Sequence, residues 1–336
     1  MQNKTDQEKI EEILTRGVVN IIPGREELEK LLNSGKKLNV YLGIDPTSTR
    51  IHLGHSVALR RLQLMVELGH KVTFLIGDFT ALIGDTSDKE GERPVLTYEQ
   101  IEENFRTYKE QASKFLDFSK ITIVHNSEWL QNLNFTEVVK LMRHFSLNDF
   151  ISRELIRKRL SEGKSVSLPE VIYPVMQGYD SYFLDTDIQI GGTDQVFNMQ
   201  AGRTLQKNLR QKESFIIENE FLPGTDGRKM SKTWGNGIYL TDTPEDIYGK
   251  IMSITDEVIG SYFVLAASLP MKDVEEYKKR LSGGENPMGI KKELARVIVT
   301  ELYDEEAAKK AEAHFATTVV SKRPAEDVAV VKLTSP

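Results

Sequence analysis

Short apolar runs alternate with segments of helical period over the first 240 residues. Four runs rich in β-branched residues have the length of buried strands, at 38–44, 72–76, 121–124 and 188–190. Between them, segments such as 52–68 and 98–116 repeat apolar residues at three- and four-residue intervals, which is typical of amphipathic helices. This alternation predicts an α/β domain built on a doubly wound parallel sheet.

The pattern changes near residue 240, where the strand-like runs stop. Thr243-Pro244 followed by two acids is typical of a helix N-terminus. The helical pattern has a break at 282–287 and predicts a further helix over 301–315. We therefore predict an α/β domain at 1–240, including an N-terminal helical extension, and an all-helical domain at 241–320. Residues 321–336 favour an extended linker, and we expect a further module to follow them.

The composition excludes several classes of protein. The chain has 336 residues, no cysteine, 44 basic and 50 acidic residues, and a formal net charge of −6. Without cysteine there can be no disulfide, thiolate zinc site, iron–sulfur cluster or cysteine nucleophile. Since no apolar run approaches the roughly 18 residues of a membrane span, we expect a cytoplasmic protein with no membrane partner. The negative charge confines any RNA contact to basic stretches such as 152–164 and 203–212.

Two segments far apart in the chain carry candidate phosphate chemistry. The first, His52-Leu53-Gly54-His55, lies where a strand and loop lead into a helix, and a helix start attracts anions. The second, 227–235, places two lysines around a small hydroxyl residue between glycines, an arrangement suited to a triphosphate. Each segment alone is commonly an ordinary surface feature. Together they resemble the paired signatures of class I aminoacyl-tRNA synthetases.

A third segment points to the amino acid. Tyr173, Gln177 and Asp180 are spaced by four and three residues, so one helical face carries all three polar groups. The segment 173–180 resembles the tyrosine-site helix of bacterial tyrosyl-tRNA synthetases, and 84–93 and 191–195 resemble two loops of the same family. The resemblance covers roughly residues 30–320. It implies a Rossmann-like catalytic domain, a helical domain that contacts the anticodon region, an RNA-binding domain beyond the end of this chain, and a homodimer.

The resemblance also implies a role for individual residues. Tyr41 and Asp180 match the pair that binds the substrate phenol, and Asp85, Tyr173 and Gln177 match the groups that hold its ammonium. Other residues matched to the tyrosine pocket are Asp45 and, near the substrate carboxylate, Gln195. Those matched to ATP binding are Gly43, Gly54, Gly192, Asp194, Met230 and Lys232. Those matched to stabilisation of the phosphates during activation are Thr47, His52, His55, Lys89, Arg93, Lys229, Lys232 and Thr233.

The implied reaction is attack of the tyrosine carboxylate on ATP, followed by transfer of tyrosine from its adenylate to the 3′-terminal adenosine of tRNA(Tyr). Mg²⁺ would accompany ATP, because no carboxylate cluster has a convincing metal spacing, and zinc, haem and flavin are not expected. For the dimer interface, the apolar region 138–156 is the candidate. Two alternatives stay open: a metabolite nucleotidyltransferase of the same superfamily, and a catalytically inactive synthetase-like RNA-binding protein.

Overall fold

The computed structural model describes residues 5–85, 96–231 and 234–320. These residues divide into two compact units. The first comprises residues up to Ile51 and His55–Phe221, and the second comprises His52–Gly54 and the residues from Leu222 onward. The domain boundary predicted at residue 240 stays a prediction, and the linker predicted at 321–336 lies outside the described residues.

A mixed sheet of six strands organises the first unit. Along the sheet the order is β1-β6-β5-β2-β3-β4, with β1 antiparallel to β6 and the other pairs parallel. The predicted doubly wound α/β fold is therefore confirmed. The strands are β1 (Val18–Ile22), β2 (Asn39–Ile44), β3 (Lys71–Ile76), β4 (Ile121–His125), β5 (Ile188–Gly192) and β6 (Phe215–Asn219).

The two strands missing from the sequence-based prediction lie at one edge of the sheet. β1 carries Asn20 and is partly exposed, and β6 ends in Glu218 and Asn219, so neither segment is apolar throughout its length. The antiparallel edge strand β1 also makes the sheet mixed rather than wholly parallel. The chain winds from β2 to β3 and β4 on one side, then returns to β5 and β6 on the other. The carboxyl ends of β2 and β5 therefore flank a topological switch point, where α/β proteins bind ligands.

The helices of the first unit alternate with these strands along the chain. The predicted helix at 52–68 begins with a 3₁₀ turn, Leu53–His55, and becomes α-helical only at Ser56. The helix predicted at 98–116 ends earlier, at Ala112. The helices are α1 (Asp6–Thr15), α2 (Arg25–Leu32), α3 (Ser56–Glu67), α4 (Asp78–Ala81), α5 (Tyr98–Ala112), α6 (Ser127–Leu130), α7 (Phe135–Met142), α8 (Leu147–Ile151), α9 (Glu154–Ser161), α10 (Leu168–Phe183) and α11 (Val196–Arg210).

The second unit is helical from Pro244 onward. Thr243 caps its first helix by accepting a hydrogen bond from the Asp246 amide at 3.1 Å, as the sequence predicts. The predicted break after Ser282 is also present. The helix predicted over 301–315 is interrupted instead, because Asp304 caps a new helix after Leu302. The helices are α12 (Pro244–Met252), α13 (Ile259–Leu265), α14 (Met271–Ser282), α15 (Pro287–Leu302) and α16 (Glu305–Phe315).

Aromatic residues fill the core of the second unit. Tyr248, Tyr262 and Phe263 are fully buried, and the Phe263 ring stacks on Tyr277 with centroids 4.1 Å apart. Across both units, no helix of the described chain has the length and apolar character needed to cross a membrane.

Candidate functional site

A buried polar cluster lies at the carboxyl ends of β2 and β3. Asp45 follows β2 directly, and its two carboxylate oxygens accept hydrogen bonds from the Tyr173 hydroxyl and the Thr80 hydroxyl, both at 2.8 Å. Asn126 Nδ2 in turn donates to the Thr80 oxygen at 3.0 Å. Gly77 is required here, since a Cβ at that position would lie 2.0 Å from the Asp45 oxygen. The cluster therefore links the residues after β2 and β4 to α4 and α10.

Asp180, on α10, is a buried carboxyl with two donors. Its oxygens accept from Asn126 Nδ2 at 3.1 Å and from Trp129 Nε1 at 2.7 Å, and the Trp129 ring stacks on Phe183 with centroids 4.4 Å apart. Burial raises the pKa of Asp180 to about 8, although both hydrogen bonds act in the opposite direction. A further donor that reached this group would favour its ionised form, so the site suits a ligand with a buried hydroxyl.

Tyr41 lies on β2 near that carboxyl, in a buried cluster with Trp129. Burial, and then the charge of Asp180, raise the pKa of Tyr41 far above its ordinary value, so its hydroxyl stays neutral. The hydroxyl donates to Gln189 Oε1 at 3.2 Å, and Gln189 Nε2 donates to the Met199 carbonyl oxygen at 2.9 Å. Tyr41 and Asp180, which the family resemblance pairs on the substrate phenol, thus lie in one buried region, and each is held by its own hydrogen-bond partners.

Gln195, just after β5, is held by a second set of polar groups. Its Nε2 donates to an Asp85 oxygen at 2.8 Å, and its Oε1 accepts from Asn198 at 3.1 Å. Gln177 is half-buried on α10, one turn before Asp180. All seven residues predicted for tyrosine binding lie in the first unit: Tyr41, Asp45, Asp85, Tyr173, Gln177, Asp180 and Gln195.

Two glycines predicted for ATP binding lie where a side chain would be crowded. A Cβ at Gly192 would lie 2.9 Å from an Asp194 oxygen and 2.9 Å from the Phe221 ring. At Gly43 the nearest atom would be a Leu75 methyl at 3.3 Å. A side chain at Gly192 would therefore force its neighbours to move, whereas at Gly43 the fit would only be tight.

The loop between β2 and α3 carries Thr47 and ends at His55. The Thr47 amide donates to the Asp45 carbonyl at 2.8 Å, which closes a tight turn after the strand. His55 is the residue before α3 and adopts helical backbone angles. Both residues lie in the first unit.

The other histidine of the first signature packs within the second unit. His52 forms an antiparallel bridge with Tyr239, and the Leu53 amide donates to the Ile238 carbonyl at 2.7 Å. A Cβ at Gly54 would lie 3.0 Å from the His52 ring. This pairing explains why the α-helix starts only at residue 56, since the backbone before it bonds outside the helix.

The second signature is held by Asn236, which is 3% exposed. Asn236 Oδ1 accepts from the Ser231 amide at 2.8 Å, and its Nδ2 donates to the Lys229 carbonyl at 3.2 Å and to Asp226 at 2.8 Å. Met230 is buried between these two positions. The backbone that carries Lys229 is therefore fixed within the second unit. Four further predicted residues, Lys89, Arg93, Lys232 and Thr233, lie outside the described residues.

Several buried polar residues of these sites are absent from the sequence-based prediction: Thr80, Asn126, Trp129, Gln189 and Asn236. Asn126 and Gln189 could have been found, because both lie on or just after predicted strands of the sheet. The others carry no signal in the sequence pattern. No group of three or more His, Asp or Glu side chains within the described parts of the chain could hold a metal ion.

Comparisons with a family model and with known sequences point to the same family. The model of the family "tRNA synthetases class I (W and Y)" matches residues 33–319. A tyrosine–tRNA ligase of Carboxydothermus hydrogenoformans is 47% identical over 309 residues, covering 90% of this chain and 75% of the relative. A tyrosine–tRNA ligase of Thermotoga maritima is 40% identical over 331 residues, covering 98% of this chain and 82% of the relative.

Solved structures agree in fold. A tyrosyl-tRNA synthetase of Archaeoglobus fulgidus, complexed with L-tyrosine, has a TM-score of 0.71 at 25% identity and covers 92% of this chain and 99% of its own. A C-terminally truncated mitochondrial tyrosyl-tRNA synthetase of Coccidioides posadasii has a TM-score of 0.72 at 22% identity, covering 93% and 92%. From the family match, the identity to its relatives and the shared fold, this chain belongs to the class I tRNA synthetases of the tryptophan and tyrosine group.

Proposed function

We propose that the chain is an enzyme that activates L-tyrosine with ATP, giving tyrosyl-adenylate and pyrophosphate, and then transfers tyrosine to the 3′-terminal adenosine of tRNA(Tyr). The observation that carries the choice of tyrosine is the buried carboxyl of Asp180, held by two donors beside Tyr41. A phenol supplies the further donor that this group favours, and a phenylalanine ring cannot. We place the reaction in the cytoplasm, where tRNA and ATP are available.

The remaining polar groups of the first unit suit the other end of the amino acid. We assign the substrate ammonium to Asp85, Tyr173 and Gln177, and its carboxylate to the neighbourhood of Gln195. Asp45 orients Tyr173, because its carboxylate accepts the hydrogen bond that the Tyr173 hydroxyl donates, so the Tyr173 oxygen keeps its lone pairs as an acceptor for the ammonium. One pocket would then bind both the phenol and the amino and carboxylate groups of the substrate, through side chains that are already held in place.

Activation proceeds by attack of the tyrosine carboxylate on the α-phosphorus of ATP, with pyrophosphate leaving. No protein nucleophile is needed, since positioning and charge stabilisation supply most of the rate in phosphoryl transfer. We assign the phosphates to Thr47, His52, His55, Lys89, Arg93, Lys229, Lys232 and Thr233. We assign the nucleoside to Gly43, Gly54, Gly192, Asp194 and Met230. Mg²⁺ would arrive bound to ATP and neutralise part of its phosphate charge.

Some of the basic residues that the sequence suggests for contact with tRNA phosphates are engaged within the protein. Arg159 is buried in an ion pair with Glu170, and Arg203 is held by a carboxylate and a backbone carbonyl of its own unit. Arg157 and Lys207 are exposed on α9 and α11. We propose that side chains of this exposed kind, together with the helical residues at 241–320, contact the tRNA.

The test of the function is ATP–pyrophosphate exchange with each of the twenty amino acids, followed by charging of tRNA(Tyr). We expect rapid exchange with tyrosine only, and charging in the second assay. Exchange without charging would favour a nucleotidyltransferase, and exchange with no amino acid would favour an inactive RNA-binding relative. Equal exchange with phenylalanine would contradict the assignment to tyrosine.

We further propose that two copies of the chain pair through the exposed face of α7 and the start of α8. Phe135 and Val139 lie one turn apart on α7 and are 82% and 40% exposed, and Leu147 is 66% exposed. Exposed apolar side chains concentrated in one region are typical of a protein interface. This surface overlaps the region 138–156 that the sequence favours.

For the dimer we expect sedimentation equilibrium to give twice the monomer mass at micromolar concentration, and Phe135→Glu to shift the protein towards the monomer. The matched control is Tyr98→Glu, which puts the same charge on another aromatic residue that is 54% exposed. The control should leave the mass unchanged. A monomeric wild-type protein, or a dimer that survives Phe135→Glu, would contradict this interface.

A further inference from the structure

Gln189 is a fully buried amide whose orientation is set by the backbone. It lies on β5, is 1% exposed, and its nitrogen donates to the Met199 carbonyl oxygen at 2.9 Å. A carbonyl oxygen can only accept, so the amide nitrogen must face Met199 and the amide oxygen must face the other way. Space for that oxygen depends on Gly202, where a Cβ would lie 2.8 Å from it.

The amide oxygen of Gln189 faces the hydroxyl of Tyr41 at 3.2 Å. Because this oxygen also can only accept, the single proton of the Tyr41 hydroxyl points at Gln189. What remains of the Tyr41 oxygen is a lone pair. Towards any further group in the pocket, Tyr41 therefore acts as an acceptor.

The carboxyl of Asp180 also faces only hydrogen-bond donors among its partners in the protein. Asn126 Oδ1 accepts from the Phe79 amide at 3.0 Å, so its nitrogen must face away and donate to Asp180. The second donor to Asp180 is the indole N–H of Trp129, which cannot accept. Once ionised, Asp180 then offers only lone pairs to a ligand. The buried end of the pocket therefore consists of two hydrogen-bond acceptors, Tyr41 and Asp180. The Met199 carbonyl and the Phe79 amide fix this arrangement, because they orient Gln189 and Asn126.

We propose that Gln189 is a positioning residue for substrate specificity: by accepting the hydrogen bond of the Tyr41 hydroxyl, it makes the pocket select a para substituent that donates a hydrogen bond. The inference rests on the proposed function. A neutral phenol meets this demand, because it has one proton to give to Asp180 or Tyr41. A phenolate of the same shape has none and faces two acceptors. Gln189 itself does not touch the substrate and acts through Tyr41.

The experiment compares tyrosine with 2,3,5,6-tetrafluorotyrosine in ATP–pyrophosphate exchange at pH 8.5. At this pH the fluorinated phenol is ionised, whereas the phenol of tyrosine, with an ordinary pKa near 10, is not. We expect the wild-type protein to prefer tyrosine strongly. In Gln189→Met the Tyr41 hydroxyl can turn and donate to the phenolate, so the ratio of kcat/KM for the two substrates should fall at least about tenfold.

A double-mutant cycle separates this role from packing. In a Tyr41→Phe background there is no hydroxyl for Gln189 to orient, so adding Gln189→Met should leave the ratio of kcat/KM for the two substrates unchanged within about twofold. Lost packing alone would lower both substrates together and leave the ratio intact, which would overturn the inference, as would an equal change of ratio in both backgrounds. If the wild-type protein gave no exchange with tyrosine, the proposed function itself would fail. Thermal unfolding of each variant, followed by circular dichroism, shows that the activities belong to folded protein.

Discussion

Replacing Asp180 with asparagine will lower the preference for tyrosine over phenylalanine about a thousandfold. Two effects combine in this expectation. The hydrogen bond from a phenol to a charged acceptor contributes about 1.5–3 kcal/mol, so kcat/KM for tyrosine should fall about a hundredfold. In the wild-type protein, bound phenylalanine leaves the buried carboxylate of Asp180 without a donor from the ligand. The asparagine variant has no such carboxylate, so kcat/KM for phenylalanine should rise about tenfold. Sites built to hydrogen-bond a hydroxyl reach discriminations of about 10⁴–10⁵, and the tyrosine enzyme is itself the reference case for that range.

The measurement is ATP–pyrophosphate exchange with both amino acids over a range of concentrations. A matched control is Asp242→Asn, which removes another buried carboxylate, in the second unit, where it pairs with Lys250. The control can cost stability or rate, but it should leave the ratio of the two amino acids unchanged. If Asp180→Asn kept the wild-type ratio, the phenol would have to be recognised by other groups.

Replacing Lys229 with alanine will slow adenylate formation about 10²- to 10³-fold while leaving the affinity for tyrosine within about twofold. Negative charge moves onto the leaving pyrophosphate only as the reaction proceeds, so a lysine that follows it acts on the transition state and not on tyrosine binding. The loop is suited to such a role because Asn236 fixes the Lys229 backbone within the second unit.

Rapid mixing separates the two quantities, since it gives the dissociation constant for tyrosine and the rate of the bound complex in one titration. Lys310→Ala is the control, because this lysine is exposed on α16 and pairs with Glu306 one turn away on the same helix. Its removal should change neither quantity. A variant at Lys229 that bound tyrosine poorly and reacted at the normal rate once bound would show that the lysine serves the amino acid instead.

The sequence by itself determined features that depend on near neighbours in the chain. Apolar runs marked β2, β3, β4 and β5, and the cap at Thr243 and the break after Ser282 lie where local chemistry predicts them. Tyr173, Gln177 and Asp180 share one side of α10 because residues three and four apart meet on any helix. Their proposed roles came from resemblance, and the spacing alone indicates only that they face the same way.

Only the tertiary structure decided which side chains hold one another. Gln189 lies 148 positions from Tyr41, and Asn126 lies 54 positions from Asp180. The first pair exists because β2 and β5 are neighbours in the sheet, a strand order that no local pattern encodes. The second pair joins the residue after β4 to α10, which are likewise far apart in the chain. The strands β1 and β6 were not predicted for a related reason, since β1 is a partly exposed edge strand and its antiparallel pairing with β6 is not encoded in the periodicity of either segment.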